Sequence, residues 1–293
     1  MSDETNPEVI ETEQRQSRWI LVTTGVGVVA TFAGLIIQSS GLDPNNDDDA
    51  DRLLDRVDHF GTIIGGSIVS GIGYLLLAAT VYFLFQAAAR RSESVRTSLG
   101  PLIIIGATLL AVSGILTALG YDSAANDFVD SGLPTDGDDA SDRAGDLITD
   151  SSLLTFGAFM GLAGLAAFAF GIIYSALWGM RTGLLTRFWG TLGMAFGAAF
   201  LLAQFLGPIG FFGVMLWLIH VAAVSRGKWM GGPLPAWEQG VAVPWPDPNA
   251  PEPEPEPEEL ADPDDFEGTA TEVTSERPGR RDNKRKRKRK QRG

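Results

Sequence analysis

Residues 151–180 read SSLLTFGAFMGLAGLAAFAFGIIYSALWGM, thirty positions without a charge, closed by Asp150 on one side and Arg181 on the other. A helix that crosses a bilayer needs roughly 20 consecutive apolar residues. This run is long enough to cross even when tilted, so it decides the fold class: an all-α integral membrane protein.

Five further runs have the same character. The six spans are expected near 19–39, 61–89, 99–121, 151–180, 188–206 and 208–225. The first is longer than a signal-peptide core and no small-residue cleavage site follows it, so it reads as a retained helix. Pro101 falls in the first turn of the third span, where a missing N–H costs little. Gly207 and Pro208 turn the fifth span into the sixth.

Two acidic outer stretches separate the spans. Residues 42–60 carry seven aspartates against two arginines, and residues 122–150 carry nine against one. Arginines and lysines collect elsewhere: at Arg15 and Arg18, around SESVRT from Ser92, at Arg181 and Arg187, and at Arg226 and Lys228. The positive-inside rule puts all four places in the cytoplasm. Six spans with both termini inside a cell membrane then satisfy every connection. Residues 1–18 are expected to be a short disordered tail.

The net charge of −13 over 293 residues lies almost wholly outside the apolar runs. A soluble α/β protein would interleave the two. The absence of cysteine removes disulfides, thiol nucleophiles and thiolate metal sites. Only His59 and His220 offer imidazole. No motif calls for a cofactor.

An internal repeat emerges at a shift of 91 residues. SGLDPNNDDDADRLLD from Ser40 lies over SGLPTDGDDASDRAGD from Ser131, and the register continues through Gly66 over Gly157, Gly73 over Gly164, Ala78 over Ala169 and Arg90 over Arg181. Spans one–two and three–four are thus expected to be parallel copies, related by rotation about the membrane normal.

The candidate functional residues follow from that repeat. Asp47, Asp48, Asp51 and Asp55 of the first copy match Asp138, Asp139, Asp142 and Asp146 of the second. Together they form a speculative outer acidic cluster that could present carboxylates to a divalent cation. Neither loop has the EF-hand pattern. The plainer reading of Asp47–Asp49 is a helix N-terminus, where negative charge is favoured. The repeated Asp-Arg-x-x-Asp allows crossed pairs between copies, Arg52 to Asp142 or Asp146 and Arg143 to Asp51 or Asp55.

Inside the spans there is no Asp, Glu, Lys or Arg. Coupled transport usually relies on such groups at mid-membrane. His220 reads as a packing residue, since Ser70 and Ser113 fall at another depth. Small residues such as Gly157, Gly161, Gly164 and Gly171 suit close helix packing.

The segment 226–247 carries Trp229, Trp237 and Trp245 and is expected on the inner membrane surface. Residues 248–293 read as a disordered cytoplasmic tail. A stiff PEPEPEPEE spacer lies in an acidic part, and RPGRRDNKRKRKRKQRG ends the chain with eleven basic residues. The basic run suits anionic lipid or an acidic partner; with no interleaved aromatic, nucleic acid is not indicated. The leading expectation is a non-catalytic structural or interaction component. The alternative is a channel or carrier with a path between the repeats, and an intramembrane enzyme comes third.

Overall fold

The computed structural model describes residues 5–40, 42–43, 48–202, 208–228 and 233–245. The polybasic tail, Asp47, Gly207 and Trp229 lie outside them. Among the described residues every regular element is helical: α1 Pro7–Ser39, α2 Asp49–Arg91, a 3-10 turn Thr97–Leu99, α3 Gly100–Asp130, α4 Asp138–Asp150, α5 Ser152–Arg181, α6 Arg187–Leu201, α7 Ile209–Val224 and α8 Pro235–Gln239. Four of these regions, in α1, α2, Thr97–Asp130 and α5, are long and apolar enough to cross a membrane. The described parts of α6 and α7 have 15 and 16 residues, or about 22–24 Å at 1.5 Å per residue, against a hydrocarbon core of about 30 Å.

The long helices overrun the spans expected for them. At 43 residues, α2 is about 65 Å long, far more than a bilayer needs. Its surplus is Asp49–Phe60, the greater part of the first acidic stretch 42–60, which forms a helix as the helix-N-terminus reading of its aspartates expected. Asp48 caps it, accepting from Ala50 N at 2.9 Å. Likewise α3 continues through the start of the second acidic stretch to Asp130. At Ser151 the chain breaks between α4 and α5, because the serine hydroxyl accepts from Leu154 N and starts a new helix.

Glycine decides how the helices pair. A Cβ on Gly73 of α2 would lie 2.6 Å from Thr31 N and 2.9 Å from Gly27 O of α1. A Cβ on Gly164 of α5 would lie 2.7 Å from Leu110 N and 2.9 Å from Gly106 O of α3. Backbones approach this closely only where side chains are missing. Hydroxyls add a second link: Thr24 and Thr80 pair at 2.6 Å, and Ser113 donates to Gly157 O at 2.8 Å. Away from these contacts α1 turns Trp19, Val22, Val26, Val29 and Ile36 outward, exposed. That stripe suits lipid.

The N-terminal segment corrects an expectation. Residues 1–18 were expected to be disordered, yet α1 begins at Pro7, with Asn6 accepting from Val9 N and proline in the first turn. Glu13, 3% exposed, explains why this part of α1 is held. Its two oxygens accept from Arg91 Nη1 and Nη2 at 2.6 and 2.7 Å, and Arg90 lies at 3.7 Å. Arg91 also donates from Nε and Nη2 to Ala236 O, at 3.2 and 2.9 Å. One guanidinium thus ties α1, α2 and α8 together.

The same end corrects the reading of the tryptophans. Trp237 is buried rather than laid on a membrane surface. Its indole stacks on Phe83 at 5.8 Å and donates to Leu184 O at 2.9 Å. Trp245 donates to Leu185 O at 2.9 Å, and Val243 N donates to Thr182 O at 3.1 Å. The turn that receives them needs Gly183, whose φ of +78° is left-handed and where a Cβ would collide with Val243 O.

Two outcomes test this packing. Gly66→Ala puts a methyl 2.6 Å from Gly34 O, and overpacking of this kind costs about 1–3 kcal/mol. Gly61→Ala and Gly65→Ala, which meet nothing within 4 Å, should be neutral or gain up to about 1 kcal/mol from helix propensity. Thermal melting in detergent reads all three. Glu13→Gln strands part of a buried guanidinium and should cost about 3–5 kcal/mol. Combining it with Arg91→Met should cost less than the sum of the two separate changes.

Candidate functional site: a cap built from two acidic stretches

The acidic stretches fold against each other. Ala50 and Leu53 of α2, Ala124, Ala125 and Phe128 of α3, and Ala140 and Ala144 of α4 form an apolar core of their own, separate from that of the main bundle. Periodicity explains it. Leu53, Leu54 and Val57 share one face of α2, and Ala140, Ala144, Leu147 and Ile148 share one face of α4, while Asp51, Asp55, Asp142 and Asp146 take the opposite faces. The surplus turns of α3 fill the space between.

Beside this core lies a cavity of about 420 Å³, lined by Asp49, Arg52, Arg56, Tyr121, Asp142 and Asp146 together with Ser141, Gly145, Ile148 and Thr149. The Arg56 guanidinium sits 3.6 Å over the Tyr121 ring, a cation–π contact. Burial pushes the Arg56 guanidinium below the usual arginine range, offset in part by Tyr121. Three carboxylates, two guanidinium groups and three hydroxyls give a mixed polar lining. It suits a small polar or cationic group held by several hydrogen bonds.

The structure divides the predicted cluster. Asp142 and Asp146 line the cavity. Asp48 caps α2. Asp55 accepts from Asp43 N at 3.3 Å. Asp51, Asp138 and Asp139 are exposed on the first turns of α2 and α4. Asp47 is outside the described residues. No three acidic or histidine side chains among the described residues are placed to hold a metal ion. Arg52 and the two cavity aspartates share one lining, but Arg52 Nη1 donates to Asp49 at 3.3 Å. Arg143 stays with the second acidic stretch and α3, donating to Pro134 O at 2.9 Å and lying 4.7 Å over Phe128. Links that do join the two acidic regions include Asp49 N to Ser141 Oγ at 3.4 Å and Arg56 over Tyr121.

Arg56, Tyr121, Ser141 and Thr149 were not anticipated in the site. Arg56 was legible, since it lies four residues after Arg52 and hence on the same helical face. Tyr121 was not, because it was assigned to the end of a membrane span.

His220 is 2% exposed and stacks on Trp189 with ring centroids 3.7 Å apart. The hydroxyl of Ser70 donates to Ser67 O and accepts from Gln38, while that of Ser113 is given to Gly157 O. Both serines are engaged in helix packing at the cap side of their helices.

The cap carries a pH dependence. The Ser141 hydroxyl and then the Ala50 N–H hold Asp48 below the ordinary carboxylate value of 3.8. A depressed folded-state pKa stabilises the fold above 3.8, and that contribution is lost as pH falls through the folded value. Backbone amides of Ala50–Leu53 should therefore exchange faster with solvent as pH falls through that depressed value, below 3.8, after correction for the intrinsic exchange rate. Ser141→Ala should move that onset upward toward 3.8.

The chain matches no protein-family model, no curated protein and no solved structure, and its functional reading rests on the geometry of the cap and of the bundle.

Proposed function

We propose that the chain is a six-span protein of the cell membrane with both termini in the cytoplasm, built on a duplicated helix pair, and that it serves as a non-catalytic structural or interaction component through its outer cap and its cytoplasmic tail. The observation that carries this reading is the joint cap. Two acidic stretches far apart in the chain share one apolar core and one cavity, which makes a fixed recognition surface.

The helix-pair packing supports the duplication. Gly27 and Thr31 meet Gly73 as Gly106 and Leu110 meet Gly164, and Gln38 meets Gly66 as Thr117 meets Gly157. The first helices correspond at an offset of 79 and the second at 91. The second copy therefore has twelve more residues between its matched contacts, and α3 runs twelve residues past the point equivalent to Ser39. Those twelve residues, about 18 Å of helix, include Tyr121, Ala125 and Phe128 of the cap. Spans five and six correspond to α6 and α7, largely apolar and packed at Gly193 against Trp217 and at Gly213 against Phe196.

A channel or carrier is the second reading, favoured only by the repeat itself. The close backbone contacts within each pair and the lack of Asp, Glu, Lys or Arg inside the expected spans weigh toward the interaction component. Flux in proteoliposomes separates the two: the interaction component transports nothing, and the carrier does.

Topology has a direct test in this cysteine-free chain. Ser94→Cys and Ser123→Cys, both at exposed positions, should label from opposite sides with an impermeant thiol reagent, Ser123→Cys from outside. Labelling of both from one side ends the six-span arrangement.

A further inference from the structure

The cap cavity holds charges that its own side chains leave unmatched. Arg52 donates to Asp49 at 3.3 Å, so those two groups balance each other. Arg56, Asp142 and Asp146 enter no ion pair among the described residues, yet all three line the same space of about 420 Å³. Arg56 is half-buried, with the Tyr121 ring 3.6 Å from its guanidinium carbon. Stacking of this kind uses the face of the guanidinium. Its edge, a rigid fork of N–H donors, stays available to a carboxylate.

Two helices side by side set the spacing. Asp49, Arg52 and Arg56 recur at one-turn steps along α2, and Asp142, Asp146 and Thr149 do so along α4. Asp49 N meets Ser141 Oγ at 3.4 Å, which fixes the outer end of both rows. Arg56 lies seven residues further along α2, about 10 Å inward, beside Tyr121 of α3. Outward from it come the carboxylates of Asp146 and Asp142, one helical turn or about 6 Å apart. Gly145, between them in the lining, contributes no side chain to fill the groove. The result is an elongated groove with an unpaired cation at its inner end and two unpaired anions toward its outer end.

Charge complementarity selects the occupant. The lining carries three carboxylates and two guanidinium groups, one negative charge in excess. A ligand that matches the unpaired groups has one carboxylate and two cations spread along a chain. We propose that the groove binds a free basic amino acid of the lysine type, with its carboxylate on the edge of Arg56, its α-ammonium on Asp146 and its side-chain ammonium on Asp142. Ile148 is the aliphatic side chain of the lining and suits the methylene stem. The inference deepens the reading of the cap as a recognition surface and rests on it.

The test is titration calorimetry on the full chain in detergent with three probes: lysine, norleucine, which lacks the side-chain ammonium, and cadaverine, which lacks the carboxylate. The parent should prefer lysine to norleucine by roughly threefold and to cadaverine by about tenfold. Arg56→Gln should erase the preference over cadaverine, and Asp142→Asn the preference over norleucine alone. Asp142 and Asp146 are exposed, so their change to Asn should leave melting as in the parent. Those variants keep the test readable should Arg56→Gln loosen the cap. Asp51→Asn with Asp138→Asn, exposed and outside the lining, should leave lysine affinity intact. A parent that binds the three probes equally, or none, overturns the site. An equal loss in the Asp51 and Asp138 control overturns it in favour of diffuse attraction to an acidic surface. Equal binding of Nα-acetyl-lysine overturns the free amino acid in favour of a peptide C-terminus. Lysine flux in proteoliposomes keeps the two readings apart. Binding with uptake leaves the site standing and ends the non-transporting component, whereas neither binding nor uptake ends the site alone.

Discussion

A single buried ion pair organises the end of the molecule where its chain segments meet. Glu13 and Arg91 are both withdrawn from water, at 3% and 0% side-chain exposure. Neither would be tolerated there alone. Glu13 makes the first turns of α1 part of the fold, and Arg91 fixes the end of α2. The guanidinium donors left over go to Ala236 O, which places Trp237 over Phe83 and beside the α5–α6 turn. The arrangement of α1, α2, the α5–α6 turn and α8 thus depends on one bidentate contact between residues 78 positions apart.

In the bundle proper, packing is governed by what is missing. Apolar side chains gain little from leaving lipid for a protein interior, so association depends on close backbone approach and on hydroxyl contacts. Gly27, Gly66, Gly73, Gly106 and Gly164 provide the first, Thr24, Thr80 and Ser113 the second. The cap obeys the opposite rule. Its helices are amphipathic in water, and burial of Leu53 and Phe128 holds them by the ordinary hydrophobic effect. One chain therefore uses two solvents, with the change falling along continuous helices. The surplus turns of α2 and α3 carry the bundle's geometry outward, so the cap cavity inherits the fixed spacing of the helix pairs.

The acidic stretches illustrate what changes when a pattern becomes a shape. Their aspartates look equivalent in sequence, but the two stretches are packed differently. In the first, the acidic residues lead straight into α2. In the second, Ser151 interrupts the chain and leaves α4 as a separate helix. Asp142 and Asp146 therefore face a cavity while Asp51 stays on an exposed first turn. Arg143 folds over Phe128 while Arg52 binds Asp49.

By itself the sequence determined the all-helical class, the presence of several long apolar helices, and the gathering of the acidic and basic residues outside them. These are legible because solvent preference is written in local composition, over windows of about twenty residues. Only the tertiary structure decided that α1 starts at Pro7, that Trp237 is buried, and that Tyr121 and Arg56 belong to one site. Each depends on a partner far away in the chain: Arg91 for Glu13, Leu184 for Trp237, α3 for Arg56. No local window contains both members of such a pair.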